Sequence, residues 1–207
     1  MKNLISVETL SYVVGLLLAI IPHEIGHALV AYLMGDSTAK ESGRFSLNPF
    51  RHLDPLGIIS LLLFRFGWAK PVPIDPRRFK KKKLGMVLVS LAGIFVNFII
   101  LLISGAMYVY ANINDFSIIS MFSLDIMRFN ATLAIFNLIP LPPLDGSKLL
   151  ATFLPDKIEF LFYKYERILY VFLIFVIFSG YINNIMLPLV SNMLNLSLKF
   201  GVMINGL

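Results

Sequence analysis

From Thr9 to Met34 the chain runs 26 residues in which only His23, Glu24 and His27 carry side chains able to charge near neutral pH. About 20 apolar residues cross a bilayer, so the segment is long enough to need lipid around it. Lipid penalises each unpaired ionisable group by about 2.5 kcal/mol or more, so a membrane helix holding three of them within one turn must put them to use. The whole chain agrees with a membrane setting. Apolar types make up 57% of its 207 residues, charged types 14%, and mean hydropathy is +0.80. Soluble domains average about 25% charged residues. This composition excludes a disordered chain and a nucleic-acid-binding arm, so no nucleic-acid partner is expected. Zero cysteines exclude disulfides, thiolate metal sites and a cysteine nucleophile.

Further apolar runs follow. Leu84 to Ala111 carries no charge, and Ile118 to Pro140 only Asp125 and Arg128. Ile168 to Ile182 is strongly apolar behind the charged stretch Glu159 to Arg167, and Asn183 to Phe200 gives a weaker last signal. The expected fold is an all-α, polytopic helical bundle of about five spans. It forms a single domain over 1–207, with a core at about 9–150 and C-terminal spans within 158–207. Between the first two spans lies a Pro- and Gly-rich loop, Gly35 to Lys83, with eleven of the eighteen Lys and Arg residues. The positive-inside rule places that loop in the cytoplasm and the N-terminus outside. The loop Asn112 to Ser117, free of Lys and Arg, suits the external face. Within the basic loop, Pro55 to Phe66 is apolar but too short to cross and reads as a re-entrant or interfacial extended piece. The first segment is too long for a cleaved signal peptide and lacks a small-residue cleavage pattern. The expected location is the cell membrane, multi-pass.

His23-Glu24-Ile25-Gly26-His27 has the spacing H-E-x-x-H. On a helix, positions i and i+4 share a face about 6 Å apart, so both imidazoles reach one ion and Glu24 sits beside them to take a proton from water. A catalytic zinc takes three protein ligands, and the residues open for the third place are His52 and the aspartates. Asp145 stands out because Pro140, Pro142 and Pro143 end the third long segment just before it. A rigid extended return along a helix end holds a carboxylate in place. Zinc is the expected single ion, although cobalt or iron also accepts two imidazoles and a carboxylate.

The pair of motifs, His23-Glu24-x-x-His27 and Asn137-x-x-Pro140-x-Pro142-x-Leu144-Asp145-Gly146, resembles the site-2 protease family of intramembrane zinc metalloproteases. Ala92-Gly93-Ile94-Phe95-Val96-Asn97 is a partial match to a third family element, with Ile94 where the family has proline. The loop stretches Arg44 to Pro49 and Gly67 to Pro73 resemble the small prokaryotic branch. The likeness covers roughly residues 9 to 150. It implies one zinc ion bound by His23, His27 and Asp145, Glu24 as the catalytic base, and hydrolysis of peptide bonds within or near transmembrane segments of membrane proteins. A minimal enzyme is expected, without a PDZ insert or regulatory module, and with the H-E-x-x-H helix coming first where family members often carry an earlier span. Asn97 and Asn137 are candidates for oxyanion or substrate contacts, or for plain helix–helix hydrogen bonds. His52 is a candidate substrate or metal contact, or a structural loop residue. His23 lies eleven residues before Met34, about 16 Å from the cytoplasmic helix end at 1.5 Å per residue. The site is therefore expected towards the cytoplasmic side, with a water path. The alternative is a membrane metal-binding or transport protein using the same His pair, although the internal repeat typical of transporters is not visible.

Overall fold

The computed structural model describes residues 6–52, 54, 57 and 70–206. Apart from Gly57, the Pro55–Phe66 piece expected to be re-entrant or interfacial lies outside the described residues, as do Gly67 to Ala69. Helix α1 spans Val7–Leu33. Ser6 caps its start by accepting the Thr9 N–H at 3.2 Å, and Glu8 in the first turn complements the helix dipole. Pro22 lies inside the helix just before His23 and, having no N–H, leaves the Leu18 carbonyl without its usual helical donor. The buried stripe of α1 is Gly15, Ala19, His23, Gly26 and His27, small residues with the two imidazoles among them.

A short α2, Thr38–Glu41, lies near the start of the basic loop. The long α3, Lys82–Ile113, returns and turns tightly into α4, Ser117–Asn137. The prolines end α4, and three helices of 9, 9 and 13 residues follow: α5 (Asp145–Phe153), α6 (Asp156–Lys164) and α7 (Glu166–Phe178). The last helix is α8, Tyr181–Ile204.

Among the described residues four helices, α1, α3, α4 and α8, are long and apolar enough to cross a membrane. The sequence leaned towards five. The apolar run beginning at Ile168 becomes the 13-residue α7, about 20 Å long against a hydrocarbon core of about 30 Å. It stops at Ser179, and Gly180 takes a left-handed conformation (φ +74°) that turns the chain into α8.

Helix α3 is the hub, packed against α1, α4, α5 and α8. Its buried residues Gly85, Val89, Ala92, Gly93, Asn97, Leu101, Ser104 and Gly105 recur every three or four positions and are mostly small, which lets neighbouring backbones approach closely. Leu101, Met127 and Ala131 form the core between α3 and α4, with Val190 and Leu194 of α8 against them. Phe95, Ile103, Phe175 and Leu187 are large apolar side chains on the outside of the bundle, where lipid accepts them and water does not. Asp125 of α4 accepts a hydrogen bond from Ser11 of α1 at 2.6 Å, joining the two helices.

Candidate metal centre

Three elements meet at one point. His23 and His27 project from α1 towards α3, and the proline-rich return after α4 brings the first residue of α5, Asp145, against them. His23 Nε2 lies 3.0 Å from His27 Nε2, and Asp145 Oδ2 lies 3.2 Å and 3.0 Å from the two. All three residues are at most 5% exposed. Gly93 makes the room: a Cβ there would sit 2.5 Å from atoms of both rings.

The hydrogen bonds behind the rings fix what the rings present in front. Asn130 Nδ2 donates to the Ile126 carbonyl at 2.8 Å, turning its own oxygen towards Asn97. Asn97 Nδ2 donates to that oxygen at 2.8 Å and to the Ala19 carbonyl at 2.9 Å. Its Oδ1 therefore faces His23 Nδ1, 2.6 Å away, and the ring nitrogen must be the donor. His27 Nδ1 likewise donates to the Val89 carbonyl at 2.7 Å. With Nδ1 of each neutral ring protonated, both Nε2 atoms present lone pairs to one another and to a carboxylate oxygen. Asp145 Oδ2 is buried and has no hydrogen-bond partner among the described residues. Such an arrangement repels itself unless a cation lies among the three. Two imidazoles and a carboxylate are the donor set of a catalytic zinc, and bonds of 2.0–2.1 Å in tetrahedral array set donors about 3.3 Å apart. The observed 3.0–3.2 Å fits zinc.

Glu24 is half-buried beside the triad. Its Oε2 accepts the backbone N–H of Val72 at 3.0 Å. A cavity of about 550 Å³ opens over the group, lined by His23, Glu24, His27, Asn137, Asp145 and Lys148 with mostly apolar neighbours from α4, α7 and the segment around Val72.

The remaining sequence candidates fall in three different places. Asn97 is fully buried with its carbonyl and both amide hydrogens engaged, so it stands behind His23 and is not free for an oxyanion. Asn137 lines the cavity, its Nδ2 bonded within α4 to the Leu133 carbonyl at 3.1 Å. His52 is fully buried in the loop and donates from Nε2 to the Ser46 carbonyl at 2.5 Å; it is not in the metal-ligand cluster, where Asp145 is the third member. Two participants escaped the sequence reading. Lys148 donates to Asp145 Oδ1 at 3.0 Å, leaving Oδ2 for the ion, and its i+3 spacing from Asp145 was a usable signal. The Val72 amide belongs to the main chain, and only the prolines on either side of it hint that its N–H is singular.

Among curated proteins, the chain is 41% identical over 154 residues to "Putative zinc metalloprotease YwhC" of Bacillus subtilis (strain 168), covering 71% of this chain and 70% of that protein. No family model matches the chain, and no solved structure matches it.

Proposed function

The chain belongs to the same family as YwhC, and from that premise we propose that it is an intramembrane zinc metalloendopeptidase of the site-2 type, cutting membrane proteins within or near their transmembrane segments. The observation that carries the reading is the convergence of three buried lone-pair donors beside a carboxylate, inside a cavity bounded by helices with lipid-compatible outer surfaces.

His23, His27 and Asp145 would hold the zinc ion, which would supply a Lewis acid for the attacking water and the scissile carbonyl. Glu24 takes the proton the attacking water loses and passes it to the leaving amine. Asn137, at the cavity wall, is placed to contact the substrate backbone. A substrate helix hides its peptide bonds in internal hydrogen bonds and must unwind locally before attack, so segments weakened by Gly, Pro or Asn are the preferred substrates. The charge of the basic loop supports a site towards the cytoplasmic side.

The test is co-expression with a model membrane substrate, alongside zinc analysis of the purified protein. Glu24→Gln abolishes cleavage and keeps the metal, whereas Asp145→Ala lowers bound zinc. Undiminished cleavage by Glu24→Gln would reduce the chain to a membrane metal-binding protein.

A further inference from the structure

We propose that the extended segment Lys70–Asp75 is a positioning strap for Glu24: the Val72 N–H fixes the carboxylate, and Arg44 holds the strap in place. The inference rests on Glu24 being the base. Pro71 and Pro73 have no N–H, so Val72 offers the single main-chain donor of the three residues, and that donor goes to Glu24 Oε2 at 3.0 Å. The Val72 side chain is buried against Ala28 and Ala39. Ala28 lies one helical turn after Glu24 on α1, so one residue of the strap grips the same helix face twice, once by side chain and once by amide.

The strap is tied down on both sides of Val72. Lys70 N–H donates to the His52 carbonyl at 2.8 Å. The Pro71 carbonyl accepts from Nη2 of Arg44 at 3.0 Å, and Nη1 of the same guanidinium donates to the Arg51 carbonyl. Arg44 is only 5% exposed. Asp75 N–H donates to Asp36 Oδ2 at 2.7 Å. A glutamate on a helix otherwise swings about three side-chain torsions. With Oε2 pinned, Oε1 is the oxygen left to exchange protons in the cavity, and a base held at a fixed angle loses little orientation on the way to the transition state.

The experiment measures cleavage of one model substrate helix, zinc content, and hydrogen–deuterium exchange of the full-length protein. Val72→Pro removes the donor and Arg44→Gln releases the strap. Each lowers kcat, the first on the order of 100-fold, with KM and zinc content unchanged, while Val72→Ile, which keeps both the amide and a buried apolar side chain, loses far less turnover than Val72→Pro. Residues 71–75 contain only three exchangeable amides, those of Val72, Ile74 and Asp75. Glu24→Ala therefore speeds exchange of one of the three, and Glu24→Gln, which still accepts, preserves it. Wild-type kcat in both strap variants, a raised kcat, or unaltered exchange in Glu24→Ala overturns the proposal. Should Val72→Pro lose its zinc through misfolding, Arg44→Gln and the exchange measurement decide. A wild-type protein that binds zinc without cleaving overturns the proposed function instead, and the exchange measurement still reads the strap.

Discussion

Two oxygens that can only accept, the Asn97 Oδ1 and the Val89 carbonyl, decide which face of each histidine points at the centre. Asn97→Leu keeps the number of side-chain heavy atoms and removes the acceptor, leaving the buried His23 Nδ1–H without a partner. Outer-shell hydrogen bonds of this kind carry about 10- to 100-fold in metal affinity, so Asn97→Leu should lose zinc to a competing chelator at correspondingly lower concentration. Unchanged competition would mean that the tautomer is set elsewhere. The ligands themselves were legible because H-E-x-x-H is a local pattern whose meaning depends on helical spacing alone. Asn97 was legible as a polar residue in an apolar run. Its role was not, since that depends on Ala19 and Asn130, which the fold alone brings beside it. His52 shows the converse: an interesting residue type whose neighbours make it a loop brace.

The helices obey packing rules that hydropathy does not see. Helices α3 and α8 cross so closely that a Cβ at Gly201 would lie 2.7 Å from the Gly105 carbonyl oxygen, and Ser197 donates to the Leu101 carbonyl at 2.6 Å across the same contact. Gly201→Val pushes these backbones apart at a cost of about 1–3 kcal/mol, seen as a lower melting temperature in detergent; an unshifted melt would refute this close packing. The apolar runs of the sequence contain the four span-length helices found among the described residues and overstate the stretch after Ile168, because Gly180, where the backbone turns, lies inside that run. The loop between α1 and α3 carries a pH-sensitive fastening. Burial works to raise Asp36, but its hydrogen bonds from Thr38 and the Asp75 N–H, with the charge of Arg78, outweigh burial and hold it below its ordinary value. Asp75, bonded to Arg77, is held at about 2. A carboxyl depressed by folding contributes fully above its unfolded pKa of about 4 and loses that contribution as pH falls below it. Zinc-free protein should therefore melt progressively lower below about pH 4, and Asp36→Asn should start lower at neutral pH and flatten that slope. Parallel profiles for the two proteins would remove Asp36 from the account.

At the scale of the molecule, the orientation of the bundle decides which compartment supplies water and receives the products. Lys80 to Lys83 lie at and just before the start of α3, and the turn after its far end, Asn114 to Phe116, contains no cation. Moving one charge across a membrane potential is worth about 2.3 kcal/mol per 100 mV, so four lysines favour one side by roughly 9 kcal/mol. The proposed orientation, with the strap and the basic loop in the cytoplasm, rests on that preference. In that orientation His23, about 16 Å inside the helix end on that side, would lie within the membrane and its cavity would draw water from the cytoplasm. The natural lack of cysteine makes the orientation directly measurable, since a single introduced thiol is the only one in the chain. A membrane-impermeant maleimide should label Asn114→Cys on intact cells and Lys83→Cys only after lysis. The reverse pattern would turn the bundle over: the base and its strap would face the outside, and a cytoplasmic water supply for cleavage would have to be abandoned even with the metal centre intact.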